Sequence, residues 1–293
     1  MAVAVVIGAA GRMGSWFTSF LKSNGYSVVV CDSDKEAARR LARKNKIKLA
    51  EDATAAAKLG QLVLFATPTL TTKRLLRQID PRISKATLFV EISSVKEPLK
   101  RTLEQMRKRG TAVLSIHPMF GHGTRRLAGR TIIVAQQPRR NNVAVKFIST
   151  LRRRGARIVE TDLSKHDRIA AATLALPHFM NFAFIDTLKA IRMSPGTARA
   201  VGGTTFKLQL LVAEALYHER LENEASILAD NKYALELLDS YAKEVNRIRV
   251  EMRKGRESLF HNLRSGARYV RRDEMFASAY DRFNAAVEAS NLN

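Results

Sequence analysis

Short apolar runs alternate with amphipathic segments from the start of the chain to about residue 160. The runs typical of buried strands are 2–7, 27–31, 62–66, 87–92, 112–116, 131–135 and 157–160. Between them, apolar residues recur at helical spacing in 15–24, 35–45, 71–79 and 95–109. Strands and helices in alternation predict an α/β fold of the Rossmann type, with a parallel, doubly wound sheet.

The pattern becomes almost wholly helical after the last of these runs. Thr161-Asp-Leu-Ser164 is typical of a helix cap, so we place the boundary between two domains, 1–161 and 162–293, at this point. One break in the helical pattern is expected at 194–203, where Ser-Pro-Gly and Gly-Gly occur. The helix that starts near Lys165 stays apolar on most faces through Ile185, and such a helix must be covered on all sides. We therefore expect an all-helical second domain that forms a homodimer and one wall of the substrate site.

Length and composition indicate a protein with a full core. The chain has 293 residues, of which 46% are hydrophobic, and it opens directly on a strand pattern with no export signal. Its single cysteine, Cys31, allows no intramolecular disulfide, so a reducing, cytoplasmic location is expected. The longest uncharged run, 169–185, is shorter than the ~20 residues of a membrane span and contains Pro177, His178 and Asn181. It predicts a buried helix and no membrane partner.

The net charge of +23 is strongly positive and uneven. Residues 100–157 carry fifteen Lys and Arg against one acidic residue, Glu104. Such a field suits nucleic acid or a small, multiply charged anion. No zinc-finger spacing or aromatic-rich strand motif accompanies the charge, so nucleic acid is the less favoured partner.

A glycine-rich turn follows the first strand. Gly8-Ala-Ala-Gly-Arg-Met-Gly14 has the spacing G-x-x-G-x-x-G and precedes a helix, which allows the backbone to approach a pyrophosphate at the helix N-terminus. Cofactor contacts are expected from its members, Gly8, Gly11, Arg12, Met13 and Gly14.

Residues at two further strand ends complete the expected cofactor site. Asp32 ends the second strand, where a carboxylate hydrogen-bonds the ribose hydroxyls of NAD and repels the extra phosphate of NADP. NADP stays open because Lys35 and Arg39 are near Asp32 in sequence. Thr67 and Pro68 are expected under the adenine-side ribose.

His117 follows the run 112–116 and precedes Pro118, which favours extended backbone for the histidine. The carboxyl ends of strands form the ligand crevice of an open α/β sheet, and Glu91-Ile-Ser-Ser-Val-Lys96 ends a second strand there. A histidine or serine in such a turn is as often a cap as a catalyst. These segments alone leave both interpretations open.

Five short motifs along the chain resemble, in their order and spacing, those of the prephenate dehydrogenases of tyrosine biosynthesis. The motifs are the glycine turn at 8–14, Ser-Ser-Val-Lys at 93–96, His-Pro-Met-Phe-Gly at 117–121, His-Asp-Arg-Ile at 166–169 and Leu-Pro-His-Phe at 176–179. The resemblance covers nearly the whole chain and is to the archaeal-like, monofunctional form. It implies a nucleotide-binding domain followed by a dimerising helical domain, with NAD-dependent oxidative decarboxylation of prephenate to 4-hydroxyphenylpyruvate and no metal.

The resemblance also implies residue roles. His117 is then the catalytic base, and Ser94 helps to hold both His117 and the ring hydroxyl of the substrate. His178 lies in the substrate pocket, presented by a kink at Pro177, although a histidine satisfied within the core is an alternative. His166 is expected to be structural.

At position 225 this chain has alanine, whereas the bacterial relatives commonly have an arginine that binds a substrate carboxylate. Lys207, Arg199 and Arg220 are candidate substitutes, of which Lys207 is our predicted substrate-binding residue. The departure leaves arogenate open as the substrate, as well as the reaction of another NAD(P)-dependent imine or hydroxyacid reductase of similar architecture. A dinucleotide sensor with a basic, nucleic-acid-binding face is the alternative that is not an enzyme.

Overall fold

The computed structural model describes residues 1–290, and residues 291–293 of the predicted second domain lie outside the described part. The chain divides into two compact units after Ala170. This division falls C-terminal to the predicted boundary because the helix Leu163–Ala170 packs against a strand and a helix of the first unit.

The first unit is built on one eight-stranded sheet. Its strands are β1 (Val3–Ile7), β2 (Ser27–Cys31), β3 (Lys48–Leu49), β4 (Leu62–Phe65), β5 (Leu88–Glu91), β6 (Ala112–Pro118), β7 (Thr131–Gln136) and β8 (Arg157–Glu160). They lie in the order β3-β2-β1-β4-β5-β6-β7-β8. The doubly wound α/β fold is confirmed.

The sheet is not parallel throughout, which corrects one part of the prediction. β6 and β7 pair antiparallel, with His117 opposite Ile133, whereas β8 runs parallel to β7. No helix forms between β6 and β7, and a connection without a crossover helix returns the chain in the opposite direction. The pairing with β7 also extends β6 through Pro118, so His117 is the second-last residue of its strand.

Helices cover both faces of the sheet. They are α1 (Arg12–Ser23), α2 (Lys35–Asn45), α3 (Ala53–Leu59), α4 (Thr69–Ile79), α5 (Glu97–Lys108), α6 (Asn142–Arg153) and α7 (Leu163–Ala170). Alternate residues of β1 enter different cores, since Ala4 and Val6 pack in one cluster and Val5 and Ile7 in the other. Burial on both faces is why the strands read as continuous apolar runs.

The second unit is wholly helical over its described residues. A π-helical turn, Ala171–Ala175, leads into α8 (Leu176–Ala190). The remaining helices are α9 (Pro195–Val201), α10 (Thr204–Tyr217), α11 (Leu221–Ala229), α12 (Ala234–Lys254), α13 (Arg256–Val270) and α14 (Ala279–Ala289). The break predicted at 194–203 is in fact the short helix α9, capped by the side chain of Ser194.

The expected disturbance near Pro177 is the π-helical turn that precedes it. Proline has no N–H to donate to the residue four positions earlier, and the helix accommodates this by widening. By length and composition alone the stretch Leu163–Ala190 could span a membrane, which is weak evidence for a span. Only Asn181 of α8 is buried, so the predicted burial of this helix is not met within a single chain.

The helix α1 crosses β1 at a contact that only glycine permits. A Cβ atom at Gly14 would lie 1.9 Å from the carbonyl oxygen of Gly8 and 2.8 Å from Cα of Ala9. Both obstacles are backbone, so no side-chain movement can relieve the clash. The last glycine of the turn is therefore required for the packing of α1.

We expect Gly14→Ala to lower the free energy of unfolding by an amount at the upper end of the about 1–3 kcal/mol typical of overpacking. Urea unfolding followed by circular dichroism measures the change. Gly266→Ala is the matched control, because a Cβ atom at Gly266, in α13, meets nothing within 4 Å. Equal stability of the two variants would contradict the packing argument.

Candidate active site

The site lies at the edge of the sheet where β1, β2, β4, β5 and β6 end. These strands are parallel, so their carboxyl ends share one edge. The residues brought to this edge are Gly8, Asp32, Thr67, Ser94 and His117. Five of the predicted site residues, from separate parts of the sequence, therefore share one edge of the first unit.

The glycine turn joins the ends of three strands. Gly8 has φ +83°, and a Cβ atom there would lie 2.6 Å from the carbonyl oxygen of Ala66 and 2.8 Å from Cγ2 of Thr67. Its N–H donates to the carbonyl of Cys31 at the end of β2. The N-cap of α1 is Gly11, with no side-chain cap, so the first turn of α1 presents backbone N–H groups suited to a phosphate.

The two side chains of the turn have different surroundings. Arg12 is the exposed first residue of α1, whereas Met13 packs partly buried against the core on one face of the sheet. A contact of Met13 with a cofactor would therefore use its backbone N–H.

Asp32 stabilises the conformation of the glycine turn. Its carboxylate accepts the N–H of Ala10 at 2.8 Å through Oδ2 and the N–H of Asp34 at 3.0 Å through Oδ1. The predicted role on ribose hydroxyls stays a prediction, and the structure adds a second role that sequence spacing did not reveal. Nearby, Pro68 is the N-cap of α4, and Thr67 Oγ1 lies 2.8 Å from Thr72 Oγ1.

A buried chain of hydrogen bonds ends on His117. Nδ1 of His117 lies 3.0 Å from Nε2 of His166, and Nδ1 of His166 lies 2.6 Å from Oδ1 of Asp167. Asp167 Oδ1 also accepts the N–H of Lys96 at 2.8 Å, and Oδ2 accepts the N–H of Glu97 at 2.7 Å. All three members of the chain are at most 3% exposed. Sequence reasoning missed this role of His166 and Asp167.

The charge of Asp167 assigns the tautomers along the chain. Burial alone would raise the pKa of Asp167, but hydrogen bonds from His166 and from backbone N–H groups outweigh it and hold that pKa below its ordinary value. An ionised carboxylate only accepts, so Nδ1 of His166 carries a proton and its Nε2 is an acceptor. His117 then donates from Nδ1, which leaves a lone pair on its Nε2.

The surroundings keep His117 neutral. Burial lowers its pKa well below 6.5, and the nearby charges of His166 and Lys96 lower it further. The pKa of His166 is also lowered, chiefly by burial, although the hydrogen bond to Asp167 opposes the shift. A neutral imidazole with a lone pair on Nε2 can act as a general base.

A buried ion pair supports this end of the sheet. Lys96 Nζ donates to Glu91 Oε1 and to the carbonyl oxygen of Ile116, each at 2.7 Å, and both charged side chains are fully buried. Glu91 also accepts from Ser115 Oγ through Oε1 and from the N–H of Ser93 through Oε2. These bonds tie the segment after β5 to the last residues of β6, beside His117.

Within the described residues no hydrogen bond joins Ser94 to His117, whose Nδ1 contacts His166. The predicted support of His117 by Ser94 stays a prediction. The predicted contact of Ser94 with a substrate hydroxyl stays a prediction. The neighbouring Ser93 Oγ is buried, and no partner for it occurs in the part of the chain described.

The loop after His117 is fastened to α1. Nε1 of Trp16 donates to the carbonyl oxygen of Thr124 at 2.7 Å, and the indole ring lies 5.1 Å from the ring of Phe120. His122, in the same loop, is exposed. The loop that follows the candidate base is thus fixed to the helix that follows the glycine turn.

In the helical unit, His178 is paired with an acid. Its Nδ1 lies 2.5 Å from Oε2 of Glu224, and their side chains are 14% and 7% exposed. Lys207 is half-buried in the first turn of α10 and forms no ion pair within residues 1–290. Arg199, one of the alternatives, is already bonded to Glu214.

Two family models match this chain. Residues 17–160 match "Prephenate dehydrogenase, nucleotide-binding domain", and residues 162–265 match "Prephenate dehydrogenase, dimerization domain". The first match begins after the glycine turn. Together, the two matches confirm the resemblance that the motifs indicated.

Two relatives agree with this assignment. A probable arogenate/prephenate dehydrogenase of Methanocaldococcus jannaschii is 25% identical over 267 residues, which are 90% of this chain and 60% of that protein. The T-protein of Haemophilus influenzae is also 25% identical, over 89% of this chain and 66% of its own length. The chain therefore spans about three fifths to two thirds of these two relatives.

The fold agrees with a solved structure of prephenate dehydrogenase from Aquifex aeolicus, in complex with hydroxyphenyl propionate and NAD+. The TM-score is 0.74, with 19% identity, 93% of this chain covered and 99% of the other. At this level of identity the likeness concerns the fold.

We expect the stability of the protein to fall as the pH drops below about 6.5. The folded-state pKa values of His117 and His166 lie below those of the unfolded chain, so the unfolded state binds more protons in that range. Their stabilising contribution is complete above about pH 6.5 and is lost as the pH falls towards the folded-state values, by up to about 1.4 kcal/mol per pH unit for each histidine. Urea unfolding from about pH 7.5 to about pH 5 measures this slope.

His117→Asn is the control for that measurement. An asparagine side chain can still donate to His166 but does not titrate, so the slope should become shallower. The carboxyl of Asp167 has an ordinary pKa of about 3.9 in the unfolded chain, which lies below this range. An unchanged slope in the variant would show that His117 is not the titrating group.

Proposed function

The chain belongs to the prephenate dehydrogenase family, and we propose that it catalyses the NAD+-dependent oxidative decarboxylation of prephenate or of its amine analogue, arogenate. The observation that carries the proposal is the chain from Asp167 through His166 to His117, which leaves a neutral base at the end of β6. That base shares a sheet edge with the glycine turn of a nucleotide-binding domain.

The reaction requires one proton acceptor at the ring hydroxyl. NAD+, when bound, takes a hydride from the carbon that bears this hydroxyl. Nε2 of His117 accepts the hydroxyl proton as the hydride leaves, so a carbonyl forms at that carbon. The electrons of the C–CO2 bond then make the ring aromatic, CO2 departs, and the phenol oxygen regains the proton from His117. The products are 4-hydroxyphenylpyruvate from prephenate and tyrosine from arogenate.

His166 and Asp167 are positioning residues in this scheme. A lowered pKa keeps His117 neutral but also makes it a weaker base. The carboxylate of Asp167, acting through His166, stabilises the positive charge that forms on the paired imidazoles when the proton arrives. His117 is thus neutral before the reaction, and the carboxylate of Asp167 stabilises its protonated form during the reaction.

Several features support NAD+ as the cofactor. Asp32 places a carboxylate beside the glycine turn, where the extra phosphate of NADP would be repelled. The A. aeolicus relative was solved with NAD+. A cytoplasmic location stays a prediction.

We also propose a homodimer formed through the helical domain. The matched family model is described as a dimerization domain. Exposed apolar residues recur on α8 and α10, among them Met180, Leu211 and Val212, each at least 40% exposed. A second copy of the chain would remove this surface from water.

The activity is tested by mixing the protein with prephenate or arogenate, each with NAD+ or NADP+, and following the reduced cofactor at 340 nm. We expect turnover with NAD+ and at least one of the substrates. His117→Asn should lower kcat by about 10²–10⁴, as expected for loss of a general base, with nearly unchanged affinity for NAD+. Reduced cofactor from no pair would refute the function, and a variant with most of its activity would refute the role of His117.

The homodimer is tested by light scattering, which should give about twice the 32.7 kDa of one chain. Met180→Lys, on the exposed part of α8, should shift the protein towards the monomer because it buries a charge at the interface. Val145→Lys, on α6 of the first unit, is the matched control and should leave the dimer intact. A monomeric wild-type protein would refute the proposal.

A further inference from the structure

The outer sides of α4 and α5 form a basic surface that the proposed reaction does not use. Both helices pack on the same side of the sheet, since Leu76 of α4 and Leu103 of α5 belong to one core cluster. Asp80, at the end of α4, accepts from Arg109, at the end of α5, and so joins the two helices. Exposed cations lie on these helices and on the segment after α4, and we define six of them as the basic face: Arg74, Arg77, Arg82, Lys85, Arg101 and Lys108.

The charge of the basic face is not compensated. Its six cations form no ion pair within the described residues, and every acidic residue of 69–110 is buried or half-buried. Exposed cations on other helices are paired with an acid one turn away, as Arg39 is with Glu36 and Lys254 is with Glu251. Like charges on one surface repel one another, which costs stability until an anion binds. The basic face is therefore suited to a partner with many negative charges.

The other side chains of this surface distinguish between such partners. In the described helices α4 and α5, Leu70 is the one large apolar side chain that is exposed. A protein interface has an apolar centre, and a helix that lies on a membrane needs an apolar side next to its cations. Single-stranded nucleic acids stack their bases on aromatic side chains, and neither helix contains an aromatic residue. The phosphate groups of a duplex, which carries one negative charge per ~1.7 Å of its axis, need only the cations.

We infer that the basic face binds the sugar-phosphate backbone of a duplex nucleic acid without reading its sequence. A shallow groove of about 420 Å³ lies along α4, and three of its five lining residues are the cations Lys73, Arg74 and Arg77. A phosphate group in this groove would meet all three charges. The inference revises the expectation that nucleic acid is the less favoured partner. That expectation rested on the lack of a motif that reads bases, and contacts to the phosphate backbone require no such motif.

Most of the basic face lies towards the edge of the sheet opposite His117. The helices α4 and α5 follow β4 and β5, which end at the edge of His117, and each helix returns the chain to the opposite edge, where the next strand begins. Arg77 and Lys108 lie in the last turns of their helices, and Arg82 and Lys85 follow α4. A bound duplex would therefore leave the cofactor edge of the first unit open. Nucleic-acid binding would be a further function that does not depend on the proposed reaction.

The test is a titration of short, fluorescently labelled duplexes, one of DNA and one of RNA, followed by fluorescence anisotropy. At ~0.15 M salt we expect a dissociation constant of about 1–100 µM, the range of non-specific binding. Each phosphate contact contributes about −0.9 to the slope of log K against log[salt], so about four to six contacts should give a slope of about −4 to −5. Binding of either duplex supports the inference, and a difference between them identifies the source of the phosphates.

The triple variant Arg77→Gln/Arg101→Gln/Lys108→Gln tests the location of the binding surface. It should bind at least about tenfold more weakly at ~0.15 M salt, and its salt slope should be shallower by about 3 because three phosphate contacts are lost. Turnover of the substrate should stay as in the wild-type protein, since these residues lie outside the candidate active site.

The matched control is Arg139→Gln/Arg140→Gln/Lys146→Gln, which removes the same net charge from exposed positions. Lys146 lies on α6, whose Phe147 packs in the core cluster on the other side of the sheet. The control should bind as the wild-type protein does, and thermal unfolding checks that both variants are folded. Equal weakening in the two variants would show that binding follows net charge alone and would overturn the inference. No binding of either duplex by the wild-type protein at ~0.15 M salt would overturn it as well.

Discussion

The carboxylate of Asp167 is the group on which the candidate site depends. It accepts two backbone N–H groups at the start of α5 and the imidazole N–H of His166, so three donors offset the cost of burying its charge. Because the carboxylate is ionised, it determines which nitrogen of each histidine carries a proton. One interaction therefore begins a helix, joins α7 to the sheet domain and sets the chemical state of His117.

The buried ion pair of Glu91 and Lys96 gives this arrangement a rigid support. Glu91 receives bonds from Lys96, Ser115 and the backbone of Ser93, and Lys96 also reaches the carbonyl oxygen of Ile116. Removal of one partner from such a pair typically costs about 3–5 kcal/mol, because the other charge is left buried alone. A lysine in this motif contributes to the site by fixing the end of β6 and by lowering the pKa of its neighbour His117.

Much of the first unit could be predicted because its signals are local. Apolar runs mark the strands, and the glycine spacing marks the turn, since both depend on residues that are close in sequence. The prediction of a fully parallel sheet was wrong at β7, because the residues of a strand do not themselves encode its direction. The one sequence feature that indicated an antiparallel strand was the lack of a helical segment between β6 and β7. The partnership of His117 with His166 joins residues 49 positions apart. Likewise, Glu224 is 46 positions from His178. No spacing rule connects such pairs, although the adjacent His-Asp dipeptide at 166–167 was a usable hint.

The contact between Trp16 and Thr124 has a practical consequence. Trp16 is the single tryptophan of the chain, and its indole lies between the helix that follows the glycine turn and the loop that follows His117. Indole emission depends on the polarity and hydrogen bonding of its surroundings. The intrinsic fluorescence of the protein therefore comes from one junction, and any ligand-induced movement of that loop can be followed optically without an added label.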